Sequence, residues 1–140
     1  TVNGSLTNRS AEFVRPYGFG TRYYYHAYMV TVVTTGTYSF TTASSIDTYG
    51  LLYDGTFNPS NPASSLLISN DDGGIGLQFK ITTLLESNKT YTLVVTTHGS
   101  SVIGSYSLIA SGPVQLSLTM FVPSTISPPS TTSKPYAESY

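Results

Sequence analysis

Turn-forming clusters of Gly, Pro, Ser and Thr break this 140-residue chain roughly every ten positions, and the segments between them are rich in strand formers. Such spacing leaves no room for a long helix and predicts an antiparallel β-sandwich. The strongest segments are Tyr23–Val33, Thr37–Thr42, Tyr49–Tyr53, Ser65–Ser69, Leu77–Thr83, Thr90–Thr97, Ser105–Ala110 and Val114–Val122. Period-2 alternation puts Tyr28, Val30 and Val32 on one face, Phe79 with Ile81, Tyr91 with Leu93 and Val95, and Tyr106 with Leu108 and Ala110. Thr35-Gly36, Asp54-Gly55, Asp72-Gly73-Gly74, Gly99 and Gly112-Pro113 supply the turns.

Charge is scarce. Asp, Glu, Lys and Arg make up 9% of the residues and the net charge is −1, while Ser and Thr together supply 42. Six scattered Lys and Arg cannot form the basic stripe that binds nucleic acid. No apolar run reaches the length of a membrane span. With no cysteine, disulfides are excluded and any metal must be held by oxygen or His.

A hydroxyl-rich, charge-poor surface suits a secreted protein. A start at Thr1 reads as a processed or partial product that has lost any signal peptide. Three acceptor tripeptides, at Asn3, Asn8 and Asn88, point to N-linked glycan.

Residues 1–122 are read as the sandwich domain and 123–140 as a tail. The tail holds Pro123, Pro128, Pro129, Pro135 and eight Ser or Thr, so it is expected to be extended, in polyproline II, with O-linked glycan at Thr125, Ser127, Ser130, Thr131, Thr132 and Ser133. At about 3.1 Å per residue it reaches on the order of 55 Å, more than the breadth of the domain, which favours its lying on a neighbouring copy.

From about Arg22 to Pro113 the order of motifs is distinctive. Gly36-Thr37-Tyr38-Ser39-Phe40 is followed by Asp47-Thr48-Tyr49-Gly50-Leu51-Leu52-Tyr53-Asp54, then by Asn70-Asp71-Asp72-Gly73-Gly74. Lys89-Thr90-Tyr91-Thr92-Leu93-Val94-Val95 and Gly104-Ser105-Tyr106-Ser107-Leu108 complete the series. This stretch resembles the bacterial pre-peptidase C-terminal domain. The resemblance implies a jelly-roll β-sandwich, a noncatalytic module of secreted proteases and long extracellular proteins. The strand after Pro113 and the tail depart from that pattern.

No catalytic constellation emerges. His26 and His98 lie far apart, Gly-x-Ser-x-Gly is absent, and the chain is not read as an enzyme. Asp47, Asp54, Asp71 and Asp72 fall between Arg22 and Lys80, a stretch with no other Lys or Arg. Carboxylates brought together without a counter-charge repel unless a cation holds them, so Asp47, Asp71 and Asp72, with Asn70, are candidate calcium ligands. The resemblance adds that some family members bind calcium at such loops. The competing reading is that these are ordinary turns whose side chains cap backbone amides. Tyr17, Tyr23, Tyr24, Tyr25 and Tyr28 suggest an aromatic platform for sugar rings. Alternation sends Tyr24 and Tyr28 inward and leaves Tyr23 and Tyr25 exposed together.

In strand 114–122, Val114, Leu116, Leu118, Met120 and Val122 share one face. A spare amphipathic strand satisfies its backbone by joining a sheet edge, its own or a neighbour's. The functional expectation is a secreted, glycosylated structural subunit that assembles with copies of itself into a fibre or surface layer through this strand and the tail. The alternative is a calcium-stabilised module that binds carbohydrate or matrix.

Overall fold

The computed structural model describes residues 1–123, so the O-glycosylation candidates and nearly all of the tail lie outside the described residues. Among the described residues ten strands form: β1 (Val2–Leu6), β2 (Ala11–Val14), β3 (Arg22–Thr31), β4 (Gly36–Ser44), β5 (Thr48–Asp54), β6 (Leu66–Asn70), β7 (Lys80–Leu85), β8 (Thr90–Thr97), β9 (Gly104–Ser111) and β10 (Ser117–Phe121). The fold is all-β, with every strand pair antiparallel.

One sheet has the order β1-β9-β4-β7, the other β10-β3-β8-β5-β6, with β2 also on β3. The pairs β5·β6, β4·β7, β3·β8 and β1·β9 are nested, so the chain runs out and back as one long hairpin that rolls into two sheets. That is the jelly-roll arrangement. Its eight strands are β1 and β3 to β9. The two extras share one edge of β3: β2 pairs with Arg22–Tyr25 and β10 with Ala27–Thr31.

The main core lies between the sheets and includes Tyr28, Val30, Tyr38, Phe40, Leu52, Phe79, Ile81, Leu93, Val95, Tyr106 and Leu108. It also contains an inter-sheet polar bridge. The Tyr106 hydroxyl of β9 lies 2.6 Å from that of Tyr28 on β3 and 2.7 Å from His26 Nδ1. Gly4 makes room for it, since a Cβ there would stand 2.4 Å from the Tyr106 hydroxyl. Burial raises the pKa of both tyrosines and lowers that of His26.

A second core covers the other face of the β10-containing sheet. Phe13 of β2 and Phe57 of the β5–β6 connection close over Tyr23, Tyr25, Ala27, Tyr49, Leu51, Tyr53 and Val94. The expected exposure of Tyr23 and Tyr25 is therefore wrong: they are 0% and 3% exposed. Alternation separated the two faces of β3 correctly, but it cannot reveal that a distant loop roofs the outer one. Double coverage also explains why β8 is buried from Tyr91 to Thr97 without an exposed face.

Two strands carry no clear sequence signal. β1 is short and holds Gly4, and β2 has four residues, so neither presents a long alternating run. The segment at Leu77 starts late, at Lys80, because the buried Gln78 spends its side chain on the neighbouring loop.

Candidate metal centre

β8, β5 and β6 are adjacent and alternate in direction, so the ends of β8 and β6 and the start of β5 meet at one end of the sandwich. Register does the rest. Thr48 stands opposite Thr97 and Gly50 opposite Asn70, so Asp47 and His98 follow directly beyond one pair and Asp71 directly beyond the other, at the same end of the sheet.

Each is held by its own local chemistry. Gln78 Nε2 donates to the carbonyls of Ser44 and Ile46 at 3.3 and 2.9 Å, fixing the corner that ends at Asp47. The buried Thr48 hydroxyl donates to Gln78 Oε1, accepts the Phe79 N–H and meets the Thr42 hydroxyl at 2.6 Å. The His98 backbone N–H donates to the Asp47 carbonyl at 2.9 Å. The His98 carbonyl accepts from the Arg15 guanidinium at 3.0 Å. Arg15 is buried, with its guanidinium carbon 3.9 and 4.6 Å from the ring centres of Tyr49 and Tyr23.

The functional atoms of Asp47, Asp71 and His98 all lie within 4.8 Å of one another. His98 Nδ1 is 3.0 Å from Asp71 Oδ2. One oxygen of each aspartate, Asp47 Oδ1 and Asp71 Oδ1, is sealed from solvent and has no hydrogen-bond partner among the described residues. Burial, and then the negative charges of Asp71 and Asp72, push the Asp47 carboxyl up to about 6 against the opposing pull of His98. The corner thus concentrates oxygen donors and negative charge beside an imidazole.

Of the four sequence candidates, Asp47 and Asp71 converge. Asn70 does not offer its oxygen: Oδ1 accepts the N–H groups of Gly73 and Lys80 at 2.8 and 2.9 Å, which is the turn-capping role. The exposed Asp72 acts through its charge and stands outside the cluster. His98 and Arg15 were not candidates, since nothing in their local sequence ties them to Asp47.

Asn3, Asn8 and Asn88 are all exposed, on β1, in the β1–β2 turn and in the β7–β8 turn. Asn3 Oδ1 accepts from the Ser107 hydroxyl at 2.8 Å. Among the assembly residues, Leu116 and Leu118 pack against the main core, while Val114, Met120 and Val122 are 42%, 46% and 85% exposed. Of the candidate sugar-platform tyrosines, Tyr17 alone is exposed, beside a groove of about 480 Å³ that includes Pro16, Leu66, Leu67 and Ser69. No family model, curated protein or solved structure matches the chain.

Proposed function

We propose that the chain is a secreted, glycosylated, noncatalytic structural subunit that associates with copies of itself through the open edges of its β10-containing sheet. The observation that carries this reading is the character of those edges. β10 and β6 are both five-residue edge strands without a charged side chain, whereas proteins that stay monomeric commonly guard such edges with charge. Met120 and Val122 add exposed apolar surface at the β10 edge.

β10 and β6 run in the same direction across the sheet. Pairing β10 with β6 of the next copy is head-to-tail and builds a fibre unless its rotation closes a ring, while β10 against β10 closes a dimer. The test places lysines at the exposed Ser117 and Thr119 and follows assembly by sedimentation and negative-stain microscopy. The wild type forms fibres and S117K/T119K remains monomeric with an unchanged Tm. A wild type that stays monomeric at high concentration, or a variant that assembles equally well, overturns the reading.

The Asp47–Asp71–His98 corner supports a second reading: a cation-stabilised extracellular module, calcium being the ion expected from the loops, that binds carbohydrate or matrix. A cation bound by the folded state alone stabilises it by mass action. Removal of the ion with chelator then lowers Tm, and an unchanged melting curve leaves these residues as turn and ion-pair groups.

A further inference from the structure

We propose that the ion suited to this corner is a divalent transition metal of the zinc class rather than calcium, with Asp47, Asp71 and His98 as its three protein ligands. The inference rests on the reading that the corner holds a cation, and it names which one.

Calcium takes six to eight oxygen ligands, drawn from carboxylates, amides, carbonyls and water. The side chains of the corner fall short of that supply. Asn70 Oδ1 already accepts two backbone N–H groups, and Asp72 stands outside the cluster. The Asp47 carbonyl accepts from the His98 N–H, and the His98 carbonyl from Arg15. The side chains that converge are two carboxylates and an imidazole.

Imidazole is a poor partner for calcium and a preferred one for zinc-class ions, which also accept carboxylate oxygen. Two carboxylates and a neutral imidazole carry a charge of −2, matching a divalent ion. Three protein ligands leave a coordination position for water or an outside group.

A second observation, independent of the clustering, points to a ligand. Asp47 Oδ1 and Asp71 Oδ1 are closed to solvent and without a hydrogen-bond partner among the described residues. Buried carboxylate oxygens are normally satisfied, and an ion between them supplies the missing partner. The ligands come from segments far apart in the chain, just before β5, just after β6 and just after β8, so the ion would staple three loops at one end of the sandwich.

The experiment uses the full chain, freed of metal with chelator and dialysed, then titrated separately with Zn²⁺ and Ca²⁺ while Tm is followed. At a hundredfold excess over its Kd, Zn²⁺ raises Tm by at least about 5 °C, and Ca²⁺ at the same concentration does not. His98→Ala weakens the Zn²⁺ response at least tenfold, and Asp72→Asn and His26→Ala retain it. Co²⁺ in place of Zn²⁺ gives visible d–d absorption that disappears in His98→Ala, a signature that loss of the His98–Asp71 ion pair alone does not produce. A Ca²⁺ response equal to that of Zn²⁺ and independent of His98 overturns the metal assignment and leaves the cation reading standing. No response to either ion overturns both.

Discussion

The backbone N–H of His98 donates to the carbonyl of Asp47 at 2.9 Å, joining residues 51 positions apart at the point where β8 ends and β5 begins. The same bond sets their side chains on a common corner with Asp71. Rigidity there depends on the neighbours that hold the two backbones, which single substitutions can reach.

Asp47 makes the metal-free protein sensitive to pH. Its pKa rises from 3.8 to about 6 on folding, so the folded state binds its proton more tightly than the unfolded chain does. The stabilising contribution is therefore complete below about pH 4 and is lost as pH rises through about 6, with a size on the order of 1–3 kcal/mol. In chelator at pH 7, Asp47→Asn is expected to melt higher than the wild type, and the difference to vanish near pH 4. Melting curves of the pair across this range test it; parallel curves would remove the effect.

Thr48 is the hub behind that corner. Replacing it with Val leaves the Phe79 N–H and the Thr42 hydroxyl without their partner and costs about 1–3 kcal/mol. Thr48→Ser keeps the hydroxyl and most of the stability. Urea unfolding of the two variants checks this; equal midpoints would place the cost in packing.

Arg15 is held by geometry as well as charge. Its guanidinium stacks on Tyr49 and Tyr23 and donates to the carbonyls of His98 and Pro16. Lysine cannot reproduce a flat, forked donor, so Arg15→Lys is expected to lose about 1–3 kcal/mol. An unchanged Tm would show that the stack contributes nothing.

Gly50 lies buried on β5, and a Cβ there would stand 2.4 Å from the ring of Phe79, itself fully buried. Gly50→Ala forces this packed region apart and costs about 1–3 kcal/mol or more. A denaturation midpoint equal to that of the wild type would contradict the packing.

Asn88 has a φ of 65°. Glycine takes that backbone conformation without steric cost, so Asn88→Gly should preserve or slightly raise stability while removing one acceptor site. Expressed in a eukaryotic secretory host, the wild type should exceed its bare 15.0 kDa and the variant should be lighter by one glycan. A wild-type mass equal to the bare chain would dispose of the N-glycan expectation.

Much of the architecture was legible before any coordinates. The Thr90–Thr97 segment coincides with β8, and Gly36, Asp54-Gly55 and Gly112-Pro113 fall at strand ends or in the connections. These signals are local. β-branched and aromatic residues favour extended backbone, and Gly and Pro interrupt it, whatever lies nearby. The strand character of β3 to β10, the antiparallel class and the inward face of β3 toward the main core follow from the chain alone.

Tertiary structure decided what covers each surface. Aromatics on both faces of β3 make its pattern ambiguous, and Phe13 and Phe57, far away in the chain, bury Tyr23 and Tyr25. The corner site is of the same kind. Asp71 and Asp72 look equivalent in sequence, yet one faces His98 and the other solvent, while Asn70 is consumed by its own turn. Sequence periodicity records each residue's preference for burial or bend. Partners are chosen by strand register and by the rolling of the long hairpin, which brings Asp47 to His98 through contacts that no local pattern encodes.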